Sequence, residues 1–394
     1  MCNPPSTVDQ RSSPSMALNR LPHTPLLAWQ LIDSHSPTSL SPQGLVLNSP
    51  TAPTDWVRDV RATLKDSDQN FHQVKNWIYW RDMLVGAIVA YGSASLYLEA
   101  PPFSFWQFAG FVVAVFWLYR VGSLVHEVCH LGRHECTSFK VAWNILVGIP
   151  TLTPSTFFTG HHRDHHSQRV YGTSQDPEYV VNVCKRGSIM NLLFYFCFVA
   201  AFPLIVFTRF ALAPLTFITP EIRDYSLKHF SAFTFNWKYE RPINRIDRKT
   251  FATLELFCCL RAWCIPGAAV LGIASPSRML MLYSLGASVV ILNQLRQLAD
   301  HHFEGDGSHL TMSEHIIDSC NYTSRDPVTW LFFPFSIQYH ALHHMFPSLP
   351  YHNLSSAHEY LLRKLPTDSP YHDLSQPGWW SVAKEMLRKE PVTI

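Results

Sequence analysis

Five apolar runs, at residues 83–98, 105–125, 191–218, 251–274 and 279–295, limit what this 394-residue chain can fold into. Each is near or within reach of the roughly 20 residues that cross a bilayer as a helix. Buried helices of a large soluble core are the alternative. Charged residues make up only 15% of the chain and aromatics 13%, which favours a surface facing lipid. Because the first run begins at Met83, it is not a secretory signal peptide.

Residues 1–54 are rich in Ser, Thr, Pro and Asn and show no period, so a disordered N-terminal segment is expected there. Residues 55–82 mix apolar and charged positions as an amphipathic interfacial helix does, with Trp77, Tyr79 and Trp80 suited to a membrane interface. The loop at 99–104 carries no Lys or Arg and that at 275–278 carries one. Residues 219–250 carry seven: Arg223, Lys228, Lys238, Arg241, Arg245, Arg248 and Lys249. The positive-inside rule therefore puts this long loop in the cytoplasm and the short loops outside. Parity then makes 191–218, which contains Pro203, Arg209 and Pro214, a re-entrant or interfacial segment that leaves by the side it entered. The expected fold is an all-α integral membrane protein. Four transmembrane helices, at about 83–98, 105–125, 251–274 and 279–299, form two hairpins within a domain spanning 83–360. A cytoplasmic tail follows at 361–394.

A net charge of +2, with no Arg/Lys cluster interleaved with aromatics, argues against nucleic acid as a partner. The nine cysteines are scattered without a CxxC pair and read as reduced, packed thiols.

Histidine is the anomaly, with 21 residues, many in four clusters. In HEVCHLGRHE, His126 and His130 stand four apart and share one helical face. GHHRDHH repeats that logic with His162, His165 and His166, and HALHH does so with His340, His343 and His344. His301 and His302 close the last apolar helix, with Gln297 one turn before His301. Imidazole suits iron, zinc, copper and nickel, and eight or nine rings are too many for one ion, so two metals are implied. Glu127, Asp164 and Asp300 adjoin these positions and are candidates to accept the second ring N–H of a ligand. Isolated histidines (His72, His229, His309, His315 and His372) are expected to be structural or interfacial.

The boxes HEVCH, HRDHH and HALHH resemble those of the membrane-bound fatty acid desaturase family, in its acyl-lipid branch, over about residues 80–360. The tail HALHHMFPSLPYHNL is especially similar to bacterial members, which favours a bacterial inner membrane. The loop charges and the parity of the spans put the histidine boxes and both termini in the cytoplasm. The resemblance implies a di-iron centre that activates O2, with His126, His130, His162, His165, His166, His301, His340, His343 and His344 as ligands. It further implies a fatty acid desaturase that introduces a double bond into an acyl chain held in an apolar tunnel. Gln297 departs from the family's acyl-CoA branch, where an asparagine holds an iron-bound water. His134, His161, His302 and His352 fall outside the pattern. The chain carries no HPGG haem signature and no flavin or nicotinamide fingerprint. A separate ferredoxin, rubredoxin or cytochrome b5 is therefore expected to bring electrons, docking on the basic cytoplasmic face.

The same motifs serve hydroxylases, acetylenases and carotenoid-modifying oxygenases, because the outcome depends on how the chain is placed. The NYxEHYG pattern of alkane hydroxylases is absent. A zinc-binding membrane protein or metal transporter is the rival from another class. It fits less well, since the boxed histidines sit at span ends and no internal repeat is visible.

Overall fold

A computed structural model describes residues 55–179, 189–303, 305 and 307–381. The N-terminal segment 1–54 and the end of the tail lie outside the described residues. The described residues are mostly helical with almost no strand, so the all-α class expected from the apolar runs is found, with helices suited to crossing a membrane.

The stretch expected as one helix over 55–82 divides in two. Helix α1 (Asp55–Lys65) ends before the turn-forming sequence Asp66-Ser67-Asp68, and α2 (Asn76–Glu99) begins ten residues later. The apolar face of α1 is not offered to lipid: Val57, Val60 and Leu64 are buried within the chain's largest core. Helix α2 forms a long hairpin with α3 (Phe105–Ser123). Their approach is closest at Gly110, where a Cβ would lie 2.7 Å from the Tyr97 backbone nitrogen, so only glycine fits.

After α3 the chain continues through α4 (Val125–His130), α5 (Thr137–Trp143) and a π-helical turn at Asn144–Gly148 into α6 (Ser155–His165). Then comes α7 (Ile189–Ala211), where the structure departs from the expected hairpin. It is one continuous helix with Pro203 inside it, followed by a 3₁₀ turn (Ala213–Phe217) and α8 (Pro220–His229). Two features read as breakers are accommodated by neighbours. Pro203 lies against Gly286, and the Arg209 guanidinium is paired with Glu255 at 2.5 Å. Helix α7 packs on both α9 (Arg248–Val270) and α10 (Ser277–Asp300).

Among the described residues, four helices are long and apolar enough to cross a membrane: Phe105–His130, Ile189–Ala211, Arg248–Val270 and Ser277–Asp300. Helix α7 thus joins the set and α2 does not. Outward-facing Phe108, Phe194, Trp263 and Leu280 give these helices the apolar exterior a bilayer requires.

A cap of short elements covers one end of the bundle: α11 (Met312–Ile317), β1 (Asn321–Tyr322), α12 (Pro327–Phe332), α13 (His340–Met345) and α14 (Tyr351–Lys364). The segment read as a tail from residue 361 belongs to this cap. Leu361, Tyr371 and Leu374 are buried, and β2 (Ser375–Gln376) pairs in parallel with β1.

Candidate metal centre

The cap and the ends of the bundle bring the boxed histidines to one place. His126 and His130 come from α4, which prolongs α3, and His162 and His165 from α6, with His166 capping its C-terminus. His301 caps α10, and His340, His343 and His344 occupy one turn of α13. Pro350 caps α14, separating it from that turn.

The nine rings fall into two groups. His126, His130, His162, His166 and His343 form one, and His165, His301, His340 and His344 the other, with the nitrogens of each group within 4.8 Å of one another. Seven of the nine are buried; His130 and His166 are half-buried.

Hydrogen bonds behind the rings fix which nitrogen carries the proton. His162 Nδ1 lies 2.7 Å from Glu178 Oε1, His165 Nδ1 2.9 Å from Asp176 Oδ1, and His126 Nδ1 3.2 Å from Glu127 Oε1. The Tyr171 hydroxyl donates to Asp318 at 2.7 Å, so its oxygen accepts from His301 Nδ1 at 2.9 Å. A ring that donates through Nδ1 presents a lone pair at Nε2. Those lone pairs converge. His340 Nε2 lies 3.0 Å from His301 Nε2 and 3.0 Å from His344 Nε2, while His166 Nε2 lies 3.1 Å from the Nε2 atoms of both His162 and His343. The buried Nε2 atoms of His126, His130 and His165 have no hydrogen-bond partner among the described residues. Buried ring nitrogens facing one another at this distance call for a cation between them, so the donor set fits a metal ion in each group. Burial also holds His162, His166, His340, His343 and His344 well below the ordinary imidazole range, which keeps them neutral and able to ligate.

The supporting carboxylates differ in part from those anticipated. Glu127 touches a ring and is itself held by the Tyr79 hydroxyl at 3.1 Å and the Tyr351 N–H at 3.3 Å. Asp300 is paired with Arg296 and lies 4.0 Å from His340. Asp164 faces away from the rings and accepts from Tyr239 and Arg245. Asp176, Glu178 and Asp318 were not anticipated, though SQDPE follows the second box closely in sequence. Gln297 donates to Glu178 Oε2 at 3.2 Å and so stands behind His162. His315, read as an isolated residue, is buried, 2.8 Å from His344 Nδ1 and stacked on Tyr171. His161 bonds the Phe157 carbonyl, His302 contacts Cys320, His352 accepts from the Lys75 N–H, and His134 is exposed; none joins either group.

A cavity of about 960 Å³ opens onto the centre, with His126, His162 and His340 at one end. It follows α10 from Gln297 to Met279 between walls supplied by α2, α3, α7 and α9, most of them apolar. Eighteen residues of helix correspond to about 27 Å. A smaller opening of about 550 Å³ reaches His130 from another side, between Arg133, Lys140 and Arg163.

A family model described as fatty acid desaturase matches residues 103–375, a stretch holding all nine clustered histidines. A ceramide hydroxylase of Caulobacter vibrioides (strain NA1000 / CB15N) is 33% identical over 313 residues, covering 79% of this chain and 88% of the relative. No solved structure matches the chain.

Proposed function

Since the chain belongs to the fatty acid desaturase family, we propose that it is a membrane oxidoreductase that uses O2 to oxidise an unactivated C–H bond in the aliphatic chain of a lipid. The observation that carries this reading is the long apolar cavity ending at two converging groups of imidazoles. His126, His130, His162, His166 and His343 would hold one iron, and His165, His301, His340 and His344 the other. Iron bound there supplies the reductive activation of O2 that a saturated carbon requires. The chain's own residues do the rest. Asp176, Glu178 and Glu127 orient the rings by accepting their Nδ1–H. The cavity wall positions the substrate and excludes water.

Hydroxylation is the reading we favour, because a ceramide hydroxylase covers most of this chain. In it a C–H bond, O2, two electrons and two protons give an alcohol and water. Desaturation is the second reading, favoured by the family match: two adjacent C–H bonds, O2, two electrons and two protons give a double bond and two waters. Both take their electrons from a separate carrier. The opening at His130, with its basic rim of Arg133, Lys140 and Arg163, suits an acidic ferredoxin, rubredoxin or cytochrome b5.

Lipid profiling of a bacterial host co-expressing the chain and a donor tests both readings. A hydroxylated ceramide absent from His343→Ala cells supports hydroxylation, and an additional unsaturated species supports desaturation. Identical lipids in both strains, with each donor class tried, would remove the oxidative function.

A further inference from the structure

One charge in the bundle has no part in the centre. Arg261 lies on α9, 13 residues after its first residue and nine before its last, hence about 20 Å and about 14 Å from the two ends. Both distances exceed the reach of an extended guanidinium, so this side chain cannot snorkel to either interface. The other arginines of the spanning helices are accommodated: Arg209 by Glu255, Arg296 by Asp300, Arg278 by Glu99, and Arg120 over the Trp330 and Phe335 rings. Arg261 has no hydrogen bond or ion pair among the described residues, and it lines the substrate cavity. A charge inside a bilayer is costly unless it faces a polar occupant.

The rest of that wall indicates which occupant. Tyr91, Thr151 and Asn293 line the same cavity. The Tyr91 hydroxyl donates to the Leu146 carbonyl at 2.5 Å, so it turns its lone pairs to further donors. The Thr151 hydroxyl donates to the Val147 carbonyl at 2.7 Å and accepts from the Thr153 hydroxyl at 2.7 Å, which leaves it one lone pair for a further donor. Asn293 offers a donor and an acceptor, and no hydrogen bond among the described residues uses them. The wall therefore combines guanidinium donors with hydroxyl and amide acceptors. A phosphodiester head carries no hydrogen to give those acceptors, whereas a neutral head with an amide and hydroxyls satisfies both kinds of group.

We propose that Arg261, with Asn293, Tyr91 and Thr151, forms a subsite inside the cavity for the neutral amide-and-hydroxyl head of a ceramide-type lipid. The subsite rests on the lipid-oxidation reading above and specifies its substrate class. Arg261 binds the head and does not touch the reacting carbon.

Binding without turnover tests it. The iron-loaded full chain, held under nitrogen, is titrated with N-octadecanoylsphinganine, with octadecane and with dioleoyl phosphatidylcholine, a phosphodiester without N–H or O–H groups. Arg261→Met is expected to weaken ceramide binding about tenfold, the scale of one hydrogen bond to a charged group, and Arg261→Lys to weaken it less. Octadecane binding should stay within about twofold of wild type, since the apolar wall is unchanged. Iron content equal to wild type shows that each variant is folded. The proposal is overturned if ceramide affinity is unchanged in Arg261→Met, if octadecane binding falls equally, or if wild type prefers phosphatidylcholine or does not bind ceramide. O2-dependent product formation is measured separately. Its absence with ceramide binding intact would remove the oxidative function and leave the subsite standing.

Discussion

His343 sits among His126, His130 and His166, with ring centroids 4.3, 4.5 and 4.7 Å away, so truncating it opens the first group from the centre. Glu178 acts one bond further out, on His162 Nδ1, and receives Gln297 on its other oxygen. His352, close in sequence, bonds only Lys75 and Asn353. Three outcomes follow for iron measured by mass spectrometry and chelator competition. His343→Ala lowers the stoichiometry, Glu178→Gln keeps iron with roughly 10–100-fold weaker affinity, and His352→Ala matches wild type. Full retention in His343→Ala would remove it from the ligand set. The nine clustered rings were legible in the sequence because a helix turns spacing directly into shared direction. Asp176, Glu178, Asp318 and His315 were not. Each reaches a ring through a loop or an element remote in sequence, and nothing in local spacing encodes that approach.

Among the elements, α7, α8 and α9 are joined by one buried carboxylate. Glu255 is 1% exposed and receives Arg209 at 2.5 Å and Arg223 at 2.7 Å. Removing it leaves two guanidiniums facing each other in a low-dielectric interior. Glu255→Ala should therefore destabilise the protein by about 3–5 kcal/mol, the cost of breaking a buried pair by deleting one partner. Thermal unfolding in detergent reads this as a lower midpoint, which Glu255→Asp recovers in part; an unchanged midpoint would show that the pair contributes no stability. The same carboxylate explains why the sequence suggests a break where α7 runs on as one helix. Arg209 and Pro203 argue for a break when run 191–218 is considered alone. The group that neutralises Arg209 lies 46 positions later, in another apolar run. Where partners were local the elements were readable, as in the α9 and α10 helices. Where a charge or a proline is satisfied across helices, they were not.

At the scale of the whole molecule, the buried histidines couple folding to pH with two opposite signs. Burial pushes His161 and His315, neither of them in a metal group, down to about 3. Unfolded, both titrate near 6.5. Below that value the unfolded chain takes up protons that the folded chain refuses, so this stability is present above about 6.5 and is lost as pH falls. His165 behaves in the reverse sense. Burial opposes its charge, but the Asp176 and Glu178 carboxylates outweigh burial and raise it to about 9. Its contribution is complete below about 6.5 and disappears as pH rises through about 9. The iron-free chain should accordingly be most stable near pH 6.5, with midpoints falling on both sides between about pH 5 and about pH 9. Iron acts on the two arms in different ways. A ligating imidazole must be neutral, so loading the second group removes the protonated form of His165 and with it the alkaline decline, while the acid decline remains and is deepened by proton competition for the ligands. Melting curves of iron-free and iron-loaded protein over this range decide the matter. If the iron-free midpoint rises steadily to pH 9, His165 is not held protonated by Asp176, and the carboxylate serves only to orient the ring.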